Sequence, residues 1–196
     1  LAFAASTTAQ YWNISSKPFN LVLVSDDASV NGETLSACHT GAAIESLCLS
    51  NSTSTSKSEP ISAAVFTFNT SVYASDATPF LGPPGLLAYT LNANPAIPSS
   101  VQLYVDPITN VALPLLYPGE SQQTLLFNKD NFLAIQGYVD DTGSAPVAGE
   151  VKGYERWYSC TTYYGGYQYV NLAWTLGDQT PQNPTCIKVW VKRVFI

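Results

Sequence analysis

The chain has 196 residues, of which only 11% are charged, with a formal net charge of −6 and a pI near 4.5. Because no basic patch is available to displace counterions from phosphates, this composition argues against nucleic acid as a partner. No apolar run approaches the ~20 residues of a membrane-spanning helix, so no membrane span is predicted.

The N-terminal segment resembles the end of a signal peptide, with small residues spaced as at a cleavage site in Leu1-Ala2-Phe3-Ala4-Ala5-Ser6. We therefore interpret residues 1–9 as a residual leader or N-terminal arm. Residues 10–196 are predicted to form a single all-β domain, which is long enough to bury a core without metals. The absence of methionine is expected for a chain processed at its N-terminus.

Three sequons predict N-glycosylation at Asn13, Asn51 and Asn69. The four cysteines are an even number, as expected for disulfides formed in an oxidising compartment. Together these features predict a secreted glycoprotein that is extracellular or associated with a cell wall.

Strand signals run along the whole chain, as β-branched and aromatic residues broken by Gly, Pro, Asn and Asp. The best helical window, residues 41–47, is one or two turns at most. A dozen short strands predict a β-barrel or β-sandwich, with a β-trefoil-like arrangement as the alternative. The predicted strands are 10–14, 19–25, 46–49, 63–69, 86–91, 101–105, 111–115, 124–128, 132–139, 156–163, 167–174 and 187–195.

Two segments interrupt the strands. Residues 50–58 are rich in Ser and Thr and are predicted to be an exposed loop. Residues 78–85 contain three prolines, which remove backbone donors, and are predicted to form a rigid, irregular turn.

The strongest local prediction is a β-hairpin, because Gly165-Gly166 lies between two strand-like runs. Placing Tyr164 opposite Tyr167 sets its register. One face then contains Tyr158, Cys160, Thr162, Tyr164, Tyr167, Tyr169 and Asn171. The other contains Trp157, Thr161, Tyr163, Gln168, Val170, Leu172 and Trp174, and its two tryptophans and aliphatic residues predict that it faces the core.

The cysteines are predicted to pair in sequential order, Cys38–Cys48 and Cys160–Cys186, which is one of three possible connectivities. Strand alternation places both Cys160 and Cys186 on the outward side of their strands. Each closed loop is expected to stabilise the fold by about 3 kcal/mol in the chain-entropy model.

The tyrosine face of the hairpin carries the binding hypothesis. Flat rings and hydroxyls at Tyr158, Tyr164, Tyr167 and Tyr169 suit stacking on sugar faces and adaptable recognition. The alternative is that these residues only stabilise the hairpin through cross-strand aromatic pairs.

Signals for catalysis are weak. His39 is the only histidine, follows Cys38 directly and has no Gly-x-Ser-x-Gly nucleophile motif beside it, so a structural role is predicted. With the cysteines paired, no His/Cys cluster has metal-ligand spacing, and neither a metal site nor a cofactor is predicted.

Two further hypotheses of catalysis, an aspartic protease and a glycoside hydrolase, depend on acidic residues. Asp141-Thr142-Gly143-Ser144 resembles the catalytic triplet of aspartic proteases, but those enzymes need two copies and this chain has one, so a turn is predicted. Glycoside cleavage needs two carboxyls about 5–10 Å apart. The candidates are Glu33, Glu45, Asp106, Asp140, Asp141, Glu150 and Glu155.

Four stretches near the two ends of the chain are distinctive: KPFNLVL (17–23), NGETLSACHTGAAIESLCL (31–49), LAWTLG (172–177) and PQNPTC (181–186). In these stretches the chain resembles a group of small secreted cysteine-containing proteins of filamentous ascomycete fungi, whose function is unknown. The resemblance implies a fungal extracellular origin and four paired cysteines, and it carries over no catalytic residue.

The leading hypothesis is non-enzymatic binding of a glycan, a cell-wall polysaccharide or another surface ligand. One alternative is a secreted carboxylate-dependent glycoside hydrolase. The other is a secreted inhibitor or effector that presents the turn 78–85 to a partner protein. The sequence carries no signal for an oligomeric state.

Overall fold

A computed structural model describes residues 12–50, 61–121 and 123–196. This part of the chain contains strands and no helix, so the all-β prediction is confirmed. The predicted arm 1–9, Asn51 and nearly all of the predicted loop 50–58 lie outside the described residues. The strands are β1 (Ile14–Ser15), β2 (Phe19–Val24), β3 (Leu35–Gly41), β4 (Ile44–Leu49), β5 (Thr67–Thr70), β6 (Gly85–Leu91), β7 (Ile97–Val105), β8 (Val111–Pro118), β9 (Leu125–Phe127), β10 (Leu133–Asp140), β11 (Val147–Tyr154), β12 (Trp157–Tyr164), β13 (Tyr167–Thr175), β14 (Ile187–Lys188) and β15 (Trp190–Phe195).

Most strands form one antiparallel sheet that curls into a half-barrel, with the order β11-β10-β9-β6-β7-β8-β4-β13-β12-β14 along its main path. In the described part of the chain, a second sheet consists of β15 and β2. The chain changes sheets at Val189, because Ile187 pairs with Ser159 of β12 whereas Trp190 pairs with Val24 of β2. The single strand predicted over 187–195 is therefore two strands.

The two-stranded sheet packs against one face of the half-barrel and shares its main core. Phe19 of β2 contacts Phe127 of β9 edge-on, with ring centroids 5.6 Å apart. Trp157 is fully buried, lies 4.7 Å from the Trp174 ring and donates a 2.7 Å hydrogen bond from Nε1 to the Leu133 carbonyl. This shared core supports the single domain 10–196, which stays a prediction.

A second core lies on the opposite face of β8 and of the β12–β13 hairpin. Alternate residues of a strand point to opposite faces, and in β8 both sets are buried. Leu113 and Leu115 pack there with Cys160 and Ala173. Cys160 is 0% exposed, so the expectation that it lies on an outward face is wrong.

The register of the β12–β13 hairpin is confirmed, with Tyr164 opposite Tyr167. Gly165 and Gly166 have φ values of +59° and +92°, which suit the turn that connects right-twisted strands. A Cβ at Gly165 would lie 2.5 Å from the Thr40 carbonyl oxygen. Glycine is therefore required there both for backbone conformation and for contact with β3.

The helical window at 41–47 is wrong, because these residues belong to the β3–β4 hairpin. Its two-residue turn has Ala43 at a φ of +57°. Strands β3 and β11 were not predicted, since β3 is rich in small polar residues and β11 contains glycines and charges, which have low β-propensity. Their extended conformation is stabilised instead by hydrogen bonds to a neighbouring strand, β4 for β3 and β10 for β11.

The disulfides join Cys38 to Cys48 across β3 and β4, and Cys160 of β12 to Cys186, next to β14. This is the sequential order of pairing, and it is compatible with a secreted protein. The part of the chain that the structure describes contains no helix that could span a membrane.

We expect Trp157→Ala to lower the free energy of unfolding by about 3–5 kcal/mol, because it leaves a cavity in the main core and removes the hydrogen bond to Leu133. Equilibrium denaturant titration measures this change. Tyr73→Ala is the control, since Tyr73 is 86% exposed and its truncation should change stability by no more than about 0.5 kcal/mol. Equal effects from the two variants would contradict the core role of Trp157.

Candidate functional site

Tyr164 of the predicted binding face is half-buried and packs against β7 and β8. Its hydroxyl lies 3.1 Å from that of Tyr117, and its ring meets Tyr104 edge-on with centroids 4.8 Å apart. Burial, followed by the hydrogen bond to Tyr164, raises the pKa of Tyr117 well above its usual range. This half of the hairpin face is therefore covered by another pair of strands.

Tyr167 and Tyr169 pack beside the Cys38–Cys48 disulfide. Their rings are parallel, and Tyr169 donates a 3.1 Å hydrogen bond to the His39 carbonyl. Tyr169 is buried, against the expectation that its ring is presented to a ligand. The physical reason is that β3 and β4 cover this part of the hairpin.

Tyr158 is half-buried, and the Lys188 ammonium lies 5.0 Å from its ring centroid. All four predicted tyrosines thus make contacts within the protein, and they do not form one open surface.

His39 lies at the junction of these elements. Its Nδ1 is 3.6 Å from the Glu45 carboxylate on the neighbouring strand, and its ring meets Tyr167 edge-on. Glu45 is buried, whereas the His39 side chain is about half exposed. The Glu45 carboxylate also acts on a nearby tyrosine, Tyr89, whose pKa is raised by burial and, to a smaller extent, by the charge of Glu45. These contacts support the structural role predicted for His39.

The carboxylates proposed for cleavage are spread over the molecule. Asp140, Asp141 and Glu150 line a cavity of about 570 Å³ at the β10–β11 hairpin, together with Lys152 and Arg156. Glu33 lines another cavity with Val30 and Ile187, and Glu45 lies beside His39. No cluster of three or more metal-ligating side chains occurs in residues 12–50, 61–121 and 123–196.

Two of these carboxyls have shifted pKa values, in opposite directions. Asp140 Oδ1 accepts hydrogen bonds from the Thr142 hydroxyl and backbone N–H, which lower the pKa of its carboxyl. The Asp141-Thr142-Gly143-Ser144 segment directly follows Asp140 and is exposed. Burial raises the pKa of Glu155, whose Oε1 accepts a 2.9 Å hydrogen bond from Asn128.

Two predicted glycosylation sites are in the described part of the chain. Asn13 is exposed just before β1. Asn69 is half-buried in β5, where its Oδ1 accepts a hydrogen bond from the Thr67 hydroxyl. Glycosylation at these positions stays a prediction.

The proline-rich turn 78–85 is braced at its start. The Thr78 hydroxyl oxygen accepts hydrogen bonds from the N–H groups of Phe80 and Leu81. The Gly82 N–H donates to the Phe127 carbonyl. Phe80 nevertheless remains 75% exposed.

A cleft of about 370 Å³ lies between the β7–β8 turn, the end of β12 and the segment 177–186. Two exposed rings line it, Tyr104 at 36% and Tyr163 at 72% exposure. We call it the tyrosine cleft. The residues lining it are Tyr104, Asp106, Ile108, Thr109, Val111, Leu113, Thr161, Thr162, Tyr163, Gln182 and Asn183.

Hydrogen bonds brace two walls of the tyrosine cleft. Asn110 Nδ2 donates to the Thr180 carbonyl, and Asn110 Oδ1 accepts from the Gln182 N–H. Asn183 Nδ2 donates to the Thr161 carbonyl. The Cys160–Cys186 disulfide fixes the same segment to β12. These hydrogen bonds and the disulfide therefore hold the walls of the cleft in place.

The comparisons place the chain in a family. A family profile matches residues 16–195, and its description is Domain of unknown function (DUF7907). The chain belongs to the DUF7907 family. No curated protein and no solved structure matches it. The fungal origin and the secretion implied by the sequence resemblance stay predictions.

In this DUF7907 domain, most residues of the tyrosine cleft were not predicted as a site. Strand alternation assigned Tyr163 to the core-facing side with Trp157, but Tyr163 lies at the hairpin end, beyond the main core. The sequence indicates Asp106 only as a candidate carboxylate for glycoside cleavage. One sequence signal could have indicated the cleft. The amide pair Gln182-Asn183 lies in a segment that the Cys160–Cys186 disulfide joins to β12, the strand that contains Tyr163.

We expect Asn110→Ala to release the segment 177–186, because it removes both of its side-chain hydrogen bonds to that segment. Each such bond stabilises by about 0.5–1.5 kcal/mol, so exchange of the Gln182 amide hydrogen should accelerate about tenfold. Residue-resolved hydrogen exchange measures this. Asn92→Ala, at an exposed asparagine, is the control, and unchanged Gln182 protection in Asn110→Ala would contradict the bracing.

Proposed function

We propose that this protein is an extracellular, non-enzymatic glycan-binding protein and that the tyrosine cleft is its binding site. The observation that carries the proposal is the pair of exposed rings, Tyr104 and Tyr163, in a cleft with braced walls. Small-ligand sites are concave and largely apolar, with a few placed polar groups. Preformed walls reduce the entropy that binding would otherwise lose.

The chemistry of the cleft suits a sugar. Tyrosine rings offer an apolar face to the C–H side of a pyranose, and their hydroxyls can exchange hydrogen bonds with sugar hydroxyls. Asp106 and Gln182 add a carboxylate and an amide. The Asn183 amide instead braces the wall, because its Nδ2 donates to the Thr161 carbonyl and its Oδ1 accepts from the Thr185 hydroxyl. Ring faces together with planar polar groups can orient a sugar without reacting with it.

The tyrosine cleft replaces the face of Tyr158, Tyr164, Tyr167 and Tyr169 as the proposed site. Those four rings have partners within the protein, and a ligand would have to displace them. For Tyr163, by contrast, 72% of the surface is exposed to solvent. The proposed ligand is therefore still a glycan, but the proposed binding site now lies around Tyr163, at the end of the same hairpin.

The hydrolase alternative has less support. Cleavage needs two carboxyls about 5–10 Å apart, with one acid whose pKa is raised. Among the described residues lining the tyrosine cleft, Asp106 is the only carboxyl. In the cavity of about 570 Å³, the pKa of Asp140 is lowered, which is opposite to the need of a general acid. Burial raises the pKa of Glu155, but Glu155 lines neither of these two cavities.

An inhibitor or effector function is the second candidate, and Phe80 favours it. A large apolar side chain held out on a braced turn has the form of an interface anchor. Such a function predicts a protein partner whose binding is lost in Phe80→Ala, measured by surface plasmon resonance against candidate partners. Binding that survives this substitution would remove Phe80 as the anchor.

We expect Tyr163→Ala to weaken glycan binding about tenfold, because it removes the more exposed stacking ring of the cleft. A glycan array identifies the ligand, and isothermal titration calorimetry with that glycan measures the loss. Tyr73→Ala removes another exposed tyrosine outside the cleft, and it should bind as the unmodified protein does.

Thermal unfolding of both variants checks that folding is preserved. Absence of binding to every glycan tested, or equal binding by the protein and by Tyr163→Ala, would contradict the proposed function.

A further inference from the structure

The charge in the lining of the tyrosine cleft is negative. Among the described residues that line it, Asp106 is the only charged one. Asp106 follows β7 directly and is half-buried, and its Oδ1 accepts a 3.0 Å hydrogen bond from the Ile108 N–H. That bond fixes the carboxylate within the turn that forms one wall of the cleft.

Two aromatic rings reinforce the negative potential of this carboxylate. The face of an aromatic ring is the negative end of its quadrupole and attracts cations. Tyr104, two residues before Asp106, and Tyr163 line the same cleft. A site made of ring faces and one carboxylate attracts a cationic group and repels an anionic one, and the net charge of −6 adds to both effects.

We propose that the ligand of the tyrosine cleft is a glycan that carries free amino groups, such as an oligomer of glucosamine. A protonated sugar amine pairs with the Asp106 carboxylate, while the sugar ring stacks on Tyr163. This inference rests on the proposed function and names the class of sugar. Neutral sugars use only the stacking and amide contacts, and uronic acids are repelled.

The test compares three hexamers of similar size: glucosamine, N-acetylglucosamine and galacturonic acid. Titration calorimetry is carried out at mildly acidic pH, where the sugar amine is protonated. We expect the glucosamine hexamer to bind about tenfold or more tightly than the acetylated one, since hydrogen bonds to charged groups are the stronger class. The galacturonic acid hexamer should bind most weakly.

Asp106→Asn keeps the shape of the side chain and removes its charge. We expect this variant to bind the glucosamine and acetylated hexamers with similar affinity and to retain the affinity for the acetylated one. Asp26→Asn is the matched control, because it removes one exposed negative charge outside the cleft. It should keep the preference for the amine, which excludes an effect of net charge alone.

The outcomes separate the two proposals. Equal affinity of the unmodified protein for the amine and acetylated hexamers, tighter binding of galacturonic acid, or a preference that survives in Asp106→Asn would each overturn the inference. Any of these, combined with loss of binding in Tyr163→Ala, would leave the proposed function standing. Binding of these hexamers that is unchanged in Tyr163→Ala would overturn both.

Discussion

Burial of the β12–β13 hairpin on both faces is the constraint on which the other features depend. One face packs Trp157, Leu172 and Trp174 into the main core, and the other packs Cys160 and Ala173 into the second core. A slip of one residue would exchange these two sets, because side chains alternate with a period of two. The turn at residues 165–166 prevents the slip, since the backbone there needs positive φ at both positions.

This arrangement also explains why so many tyrosines lie in the hairpin. A buried tyrosine fills space as phenylalanine does, provided that its hydroxyl finds a partner. Tyr164 finds Tyr117, and Tyr169 finds the His39 carbonyl. Only at the end of β12, where both cores finish, does a ring of the hairpin become largely exposed, and that ring is Tyr163.

The sequence predicts the features that depend on nearby residues, such as the hairpin register and most strand positions. It does not predict features set by distant contacts. The second core depends on β8 packing against β12, which hides Cys160. The cleft depends on Asn110 binding Gln182, which lies 72 residues further along the chain. The periodicity of a single sequence contains no information on such pairs. Strand alternation alone therefore places Tyr163 on the core-facing side, whereas the structure leaves it exposed.

The scarcity of charge makes one carboxylate decisive in the tyrosine cleft. In the cavity at the β10–β11 hairpin, acidic side chains share the lining with Lys152 and Arg156. Hydrogen bonds from Thr142, and to a smaller extent Lys152, lower the pKa of Asp140. A lining with both signs favours no particular ligand charge. Asp106 has no basic neighbour among the described residues that line its cleft, and half-burial reduces screening by solvent. In the proposed glycan site, ring stacking, which is insensitive to ligand charge, would supply affinity, and this single carboxylate would supply the discrimination between sugars.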